Sequence, residues 1–289
     1  MSAPSSLSGH PALVFLRSLP GRNRVTLAAG LILLALLLMA LLAPWITVHD
    51  PLALSPANRL RGMDGTHWLG TDAFGRDLFS RIVHGARISL MVGLGVAVAA
   101  VAIGLPLGLL AGYFRPVDAV LMRIMDGLMA IPAVLLAIAI VALTQASIWT
   151  LIVAITIPEI PQVVRLVRAS VLQTREEPFV EAAILTGTPW PRLMWRHLMP
   201  STSAPLIVQG TYICASAILT EAVLSFLGVG IGSETPSWGN IMSEGRTYFQ
   251  LAPGMVFWPG LALSVCILSV NLLGDAARDA LDPKLTRHR

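Results

Sequence analysis

The chain has 289 residues, of which 55% are hydrophobic and only 12% charged, with a formal net charge of +4 and a mean hydropathy of +0.74. A water-soluble domain carries about 25% charged residues, so most of this surface is made for lipid. Lys284 is the only lysine and no glycine-rich loop precedes it, which excludes a Walker A nucleotide site, so any ATP-driven work must come from a partner.

In chain order, residues 1–24 read as a cytoplasmic N-terminal segment. A polar start leads to PALVFL and then Arg17, Arg22 and Arg24, which suits a short interfacial helix. Residues 25–48 are uncharged and exceed a signal-peptide apolar region, so they form a retained first span. Further spans are expected at residues 88–114, 117–143, 148–167, 204–227 and 254–273, each long enough for the ~20 residues a crossing needs. The third and fourth divide a run of 32 uncharged residues between Asp126 and Glu159 at the polar stretch TQASIW. A tail of residues 286–289 closes the chain. The expected fold is all-α: a polytopic membrane protein with six transmembrane helices and both termini on one side. With the N-terminus inside, cytoplasmic segments hold 14 of the Lys and Arg residues and the outer segments 6, so the positive-inside rule places both termini in the cytoplasm.

In LGTDAFGRDLFSR, on the outer side before the second span, Asp72, Arg76 and Asp77 can pair and fix a turn, or face a soluble partner. Gly93, Gly95, Gly104, Gly108 and Gly112 give the second span a close-packing face, and Pro106 a bend. Arg123 and Asp126 stand three apart on one helix face and should pair. IPEIPQ, around Glu159, should kink or break the fourth span. Ionisable groups in a span are costly and point to function. Glu221 and Glu159 are therefore candidates for a translocation path, with Gln209, Ser216 and Asn271 as polar residues that line it or bind helices together. The loop at 228–253 is rich in turn formers, suits a re-entrant or lid-like element, and offers Glu234 and Glu244 to a partner outside. Cys214 and Cys266 are packing residues, and the scattered histidines show no metal-ligand spacing, so no metal site is expected.

Between the fourth and fifth spans lies a charged, proline-punctuated loop, 176–200. Pro178 suits a first helical position, Glu176 and Glu177 the positive end of the dipole, and Gly187 a C-terminal stop. Thr188 and Pro189 suit the cap and first position of a second short helix, and Pro200 leads into the fifth span. Such an elbow either anchors to lipid headgroups through Trp190 and Trp195 or docks into a soluble partner.

The EAA triad Glu181–Ala182–Ala183, followed by Gly187 and Pro200, resembles the EAA loop of bacterial ABC-importer permeases, with Met199 where that family usually has Leu. HWLGTDAFGRDLFSRIVHGARISL, AGYFRPVDAVLMRIMDGLMAIP, VRLVRASVL, LSFLGVG, PSWGNIMSEG and NLLGDAARDALDPKL resemble, in order, the C-type permeases of dipeptide, oligopeptide and nickel importers, over about residues 25–285. The resemblance implies a type I importer permease in the bacterial inner membrane, without ATPase activity of its own. Its implied partners are a homologous second permease, two cytoplasmic ATPase subunits that bind ATP and Mg, and a substrate-binding protein, with no cofactor in this chain itself. It makes the loop a coupling helix, with Glu181, Ala182, Ala183, Gly187, Pro189, Arg192, His197 and Pro200 at the ATPase. It gives Asp72, Arg76, Asp77, Glu234 and Glu244 the binding protein as a neighbour. Peptides are the expected solute, with nickel or glutathione as alternatives. A proton-coupled carrier using Glu159 and Glu221 is the rival of another class, disfavoured because no internal repeat is visible.

Overall fold

The computed structural model describes residues 23–281 apart from residue 233. The interfacial helix expected at PALVFL and the tail with Lys284 lie outside the described residues. In lipid a backbone must satisfy its own polar groups, and the long apolar runs do so as α-helices. These are α1 (Asn23–Leu41), a short α2 (Ala43–Ile46), α3 (Leu78–Tyr113), α4 (Arg115–Met129), α5 (Ala133–Leu143), α6 (Ile148–Arg175), α7 (Pro178–Leu185), α8 (Trp190–Leu193), α9 (Met199–Phe226), α10 (Trp238–Thr247) and α11 (Gly254–Leu281). Five single segments are long and apolar enough to cross a membrane: α1, α3, α6, α9 with its lead-in from Trp190, and α11.

The sixth crossing departs from expectation. Residues 117–143 are not one helix: α4 and α5 meet at 87°. Pro132 stands at the N-cap of α5. It has no N–H to continue a helix and biases Ile131 away from the helical region. Apolarity continues across this break, so hydropathy alone runs through it. The acids of α4 also find other partners than expected. Asp126 accepts from Arg165 of α6 at 2.5 Å instead of pairing with Arg123, and Asp118 forms a two-toothed pair with Arg168 of α6.

α3 and α6 are the spine. A Cβ on Gly104, Gly108 or Gly112 would sit 2.6 Å from the Cβ of Val163, Val167 or Val171 respectively, so only glycine allows this approach. A repeat of small residues every four positions is the usual device where lipid gives helices no hydrophobic reason to associate. Gly93, higher on α3, does the same against Ile218 of α9. α3 runs through Pro106, and α6 through Pro158 and Pro161, as continuous helices, so IPEIPQ does not break the span. Neighbouring helices hold the backbone where a proline removes a hydrogen bond.

Charge also misplaces helix ends in a hydropathy reading. α3 begins ten residues before the expected 88, with the Asp77 side chain accepting from the Ser80 N–H as its N-cap. α6 and α11 run on to Arg175 and Leu281, past the apolar limits expected at 167 and 273. The bundle therefore has two unlike ends. One, the loop end, carries residues 47–77 and α10. The other, the elbow end, carries α7 and α8.

Candidate functional site

The elbow is built by local rules. Pro178 opens α7 behind the N-cap Glu177, and Gly187 closes it with a φ of +77°. The Gly187 N–H donates to the Ile184 carbonyl and the Thr188 N–H to the Ala183 carbonyl, a Schellman stop that needs a left-handed residue at Gly187. The second helix starts one residue later than expected. Pro189 is its N-cap and Pro191 lies in its first turn, so Thr188 belongs to the stop of α7 rather than to a cap. A π-turn, Met194–Leu198, then carries the chain into α9 without a break, and Pro200 occupies the first turn of that helix.

The elbow has a dry side and an open side. Val180, Leu193, Met194 and Leu198 are buried against the bundle, and Thr174 of α6 donates to Ser201 of α9 at 2.9 Å. His197, half-buried, stacks on Phe179 with ring centroids 6.4 Å apart. Facing out are Phe179, Ile184, Trp190 and Leu185, the last 87% exposed. Glu181, Ala182, Gly187, Pro189, Arg192 and Pro200 are exposed, and Ala183 is half-buried. Trp190 also meets Phe114 edge-on at 5.7 Å, which ties the elbow to the junction of α3 and α4.

At the loop end the polar residues turn inward. Asp72 and Arg81 are fully buried, and Arg76 nearly so. Asp72 accepts from Arg76 and Arg81 at 2.5 Å each, and Glu244 of α10 from the same two arginines at 2.5 and 2.6 Å. Asp77 caps α3 and accepts from His67 Nδ1 at 2.9 Å. Asp72, Arg76 and Asp77 are thus buried in the loop and matched within it, and Glu244 is turned toward the arginines. Glu234 alone of that set is exposed. Asp64, in the same loop, is held well below the usual carboxylate range by the Thr66 hydroxyl, the His67 and Thr66 N–H groups and the nearby Arg61. α10 is wedged in place rather than resting as a lid: Trp238 is fully buried and donates from Nε1 to the Ile82 carbonyl at 3.0 Å.

Glu221 is 0% exposed and accepts from Ser89 of α3, Ser225 of its own helix and Ser237 at the start of α10, at 3.2, 2.8 and 2.8 Å. It is a three-helix joint and not an open path residue in this conformation. Glu159, also buried, accepts from Ser216 at 3.0 Å. Gln209 donates to Gln162 at 3.1 Å, so α6 and α9 share two polar rungs, and Asn271 is half-buried on α11. A cleft of about 590 Å³ opens toward the elbow end, lined by Leu166, Val208, Gln209, Tyr212 and Arg278.

One grouping has no counterpart in any sequence spacing. One donor atom each from His49, His67 and Asp77 lies within 4.8 Å of the others. Eighteen and ten residues separate them along the chain, and only the folding of the loop onto the start of α3 brings them together.

The comparisons with known proteins agree with this architecture. Residues 104–287 match the family model described as binding-protein-dependent transport system inner membrane component, and residues 21–62 match the N-terminal TM domain of oligopeptide transport permease C. A protein of Sinorhizobium fredii, named as a probable peptide ABC transporter permease, is 53% identical over 93% of this chain and 92% of its own length. The dipeptide transport system permease of Alkalihalophilus pseudofirmus is 42% identical over 91% of this chain and 87% of its own. Among solved structures, a chain of the inward-facing MetNI methionine ABC transporter shares the fold, with a TM-score of 0.55 at 19% identity, over 70% of this chain and 96% of that one. The bundle of five crossing-length helices and one sharply bent pair, the elbow and these matches place the chain in the binding-protein-dependent transport family, as a multi-pass inner-membrane permease subunit of an ABC importer.

Proposed function

We propose that this permease moves peptides, and that the energy for the movement enters through the elbow. The observation that carries the second part is the contrast within 178–200: a stiff attachment on the inner side and an apolar, exposed face of Phe179, Ile184 and Leu185 on the other. A lipid anchor needs no Schellman stop, no buried Val180 and no continuous helix into α9. A lever does, because a push on α7 must reach α9 without being absorbed. Cytoplasmic ATPase subunits, two in the assembly, supply that push on binding ATP. A second permease completes the path, and a binding protein delivers solute at the loop end. Both termini are then cytoplasmic, the orientation that the arginine distribution favours.

Peptide as solute rests on the relatives named above. The polar rungs Glu159–Ser216 and Gln162–Gln209 suit a zwitterionic, hydrogen-bonding cargo better than a bare metal ion. Glutathione, itself a peptide, is the cargo in the name of another relative, from Pectobacterium atrosepticum, 40% identical.

Reconstitution tests the reading. Proteoliposomes holding this chain, its second permease, the ATPases and the binding protein should take up labelled peptide only with ATP inside the cytoplasmic compartment. Uptake by this chain alone under a proton gradient would instead establish a carrier. Gly187→Pro and Glu181→Lys should insert normally yet lose ATPase capture. Wild-type capture and uptake in both would end the lever reading.

A further inference from the structure

We propose that His49, His67 and Asp77 form a binding site for a divalent transition-metal ion, zinc being the probe of choice, at the loop end of the protein. The residues come from three separate stretches: the chain after α2, the loop before α3, and the cap of α3 itself.

Two of the three groups are already held. Asp77 is 5% exposed, with one carboxylate oxygen on the Ser80 N–H at 2.8 Å and the other on His67 Nδ1 at 2.9 Å. The His67 N–H in turn donates to Asp64 at 2.6 Å, so the histidine is fixed by backbone and ring together. An ion would take the place of the proton between His67 Nδ1 and Asp77, two ligand atoms already 2.9 Å apart. A simple cap buttress would explain His67 and Asp77 but not His49, whose ring lies over His67 with centroids 4.9 Å apart.

His49 supplies the movement the site needs. Ligand atoms around zinc stand about 3.4 Å apart, since Zn–N bonds are ~2.0–2.1 Å and the geometry is tetrahedral, while the atoms here lie within 4.8 Å. His49 is half-buried and borders a cavity of about 320 Å³, shared with Thr66, Trp68, Asp77 and Ser80, so its ring has room to close that gap. The same cavity leaves the remaining coordination positions to water. Two imidazoles and a carboxylate select a borderline ion such as zinc over calcium or magnesium, which take oxygen donors. The ion would join the end of the α1–α2 arm to the start of α3. That arm is where packing is thinnest, since only 11% of the α1 membrane window is buried.

The test uses the full chain in lipid nanodiscs, metal-stripped and carrying no polyhistidine tag. Titration with zinc chloride should give one saturable site by calorimetry and raise the melting midpoint, and cobalt should give the visible absorption of a low-coordinate complex. His49→Ala should melt like the wild type without zinc and bind zinc at least tenfold more weakly. Asp77→Asn keeps a capping side chain but replaces a charged ligand oxygen with a neutral amide, and should weaken zinc at least tenfold. Absence of a saturable zinc site, or unchanged zinc affinity in His49→Ala, would overturn the proposal. An equal midpoint shift with magnesium would overturn the assigned class of ion.

Discussion

The two ends of the bundle solve opposite problems. At the loop end, charges are taken out of solvent and matched to each other: Asp72, Arg76, Arg81 and Glu244 close a quartet, and three serines surround Glu221. At the elbow end, large apolar side chains stay in the open while the backbone beneath them is fixed by caps and stops. A region that must keep its own shape satisfies its polar groups internally. A region that must meet a partner leaves its apolar surface unsatisfied. The difference implies that stability and coupling separate by position, which substitutions can break.

The largest loss of stability is expected from Arg81→Met. Arg81 is fully buried and bonds Asp72 and Glu244 at once, and removing one partner of a buried ionic group costs about 3–5 kcal/mol. Unfolding followed in detergent should show this as a large fall in midpoint. A midpoint like that of the wild type would mean the quartet does not hold the loop end. Glu244→Gln, at the more accessible rim of the quartet, should cost less.

Gly108→Val comes next, in the spine that joins the two ends. Its new methyl groups start from a Cβ already 2.6 Å from the Cβ of Val167, and overpacking of this kind costs about 1–3 kcal/mol. Adding Val167→Ala should return part of that loss. If the double variant is no better than the single one, the close approach of α3 and α6 is not what the glycines serve. Ser237→Ala should fall lower still, at about 1 kcal/mol for one hydrogen bond, with some added loss because Ser237 also caps α10. Matching loss in Ser89→Ala would tie the effect to Glu221, which both serines reach.

These residues also mark what the sequence made legible. Long-range apolar runs gave the crossings, glycines at four-residue spacing gave the face of α3, and Pro178 with Gly187 gave α7, because each is a local rule acting within one turn or two of helix. The bend at Pro132 was hidden by apolar residues on both sides, which satisfy a hydropathy reading whether the helix is straight or folded back. The partners of Asp126, Arg81 and Glu159 were hidden for a different reason. Their bonds cross helices, 163 residues apart for Arg81 and Glu244, and near neighbours such as Arg123 offered an equally sound local pairing. Glu221 shows the same limit: its type and depth suggested a lined path, yet three hydroxyls from separate segments seal it. The His49, His67 and Asp77 grouping is legible only once the loop is folded.

The smallest effect on stability, and the sharpest test of the contrast between the ends, belongs to Leu185→Ser. Leu185 is 87% exposed at the last turn of α7, and a surface change away from caps and cores stays within about 0.5 kcal/mol. The unfolding midpoint should therefore match that of the wild type, unlike the loop-end variants. If the open face is the seat of the ATPase, truncating a central apolar contact removes about 2 kcal/mol or more of binding, so capture of the ATPase should fall at least tenfold. Both readings come from one preparation, the midpoint from the purified chain and the capture from a pull-down with the ATPase. A lost midpoint with intact capture would reverse the assignment of the two ends, because the elbow would then be holding the bundle together instead of receiving force from outside it.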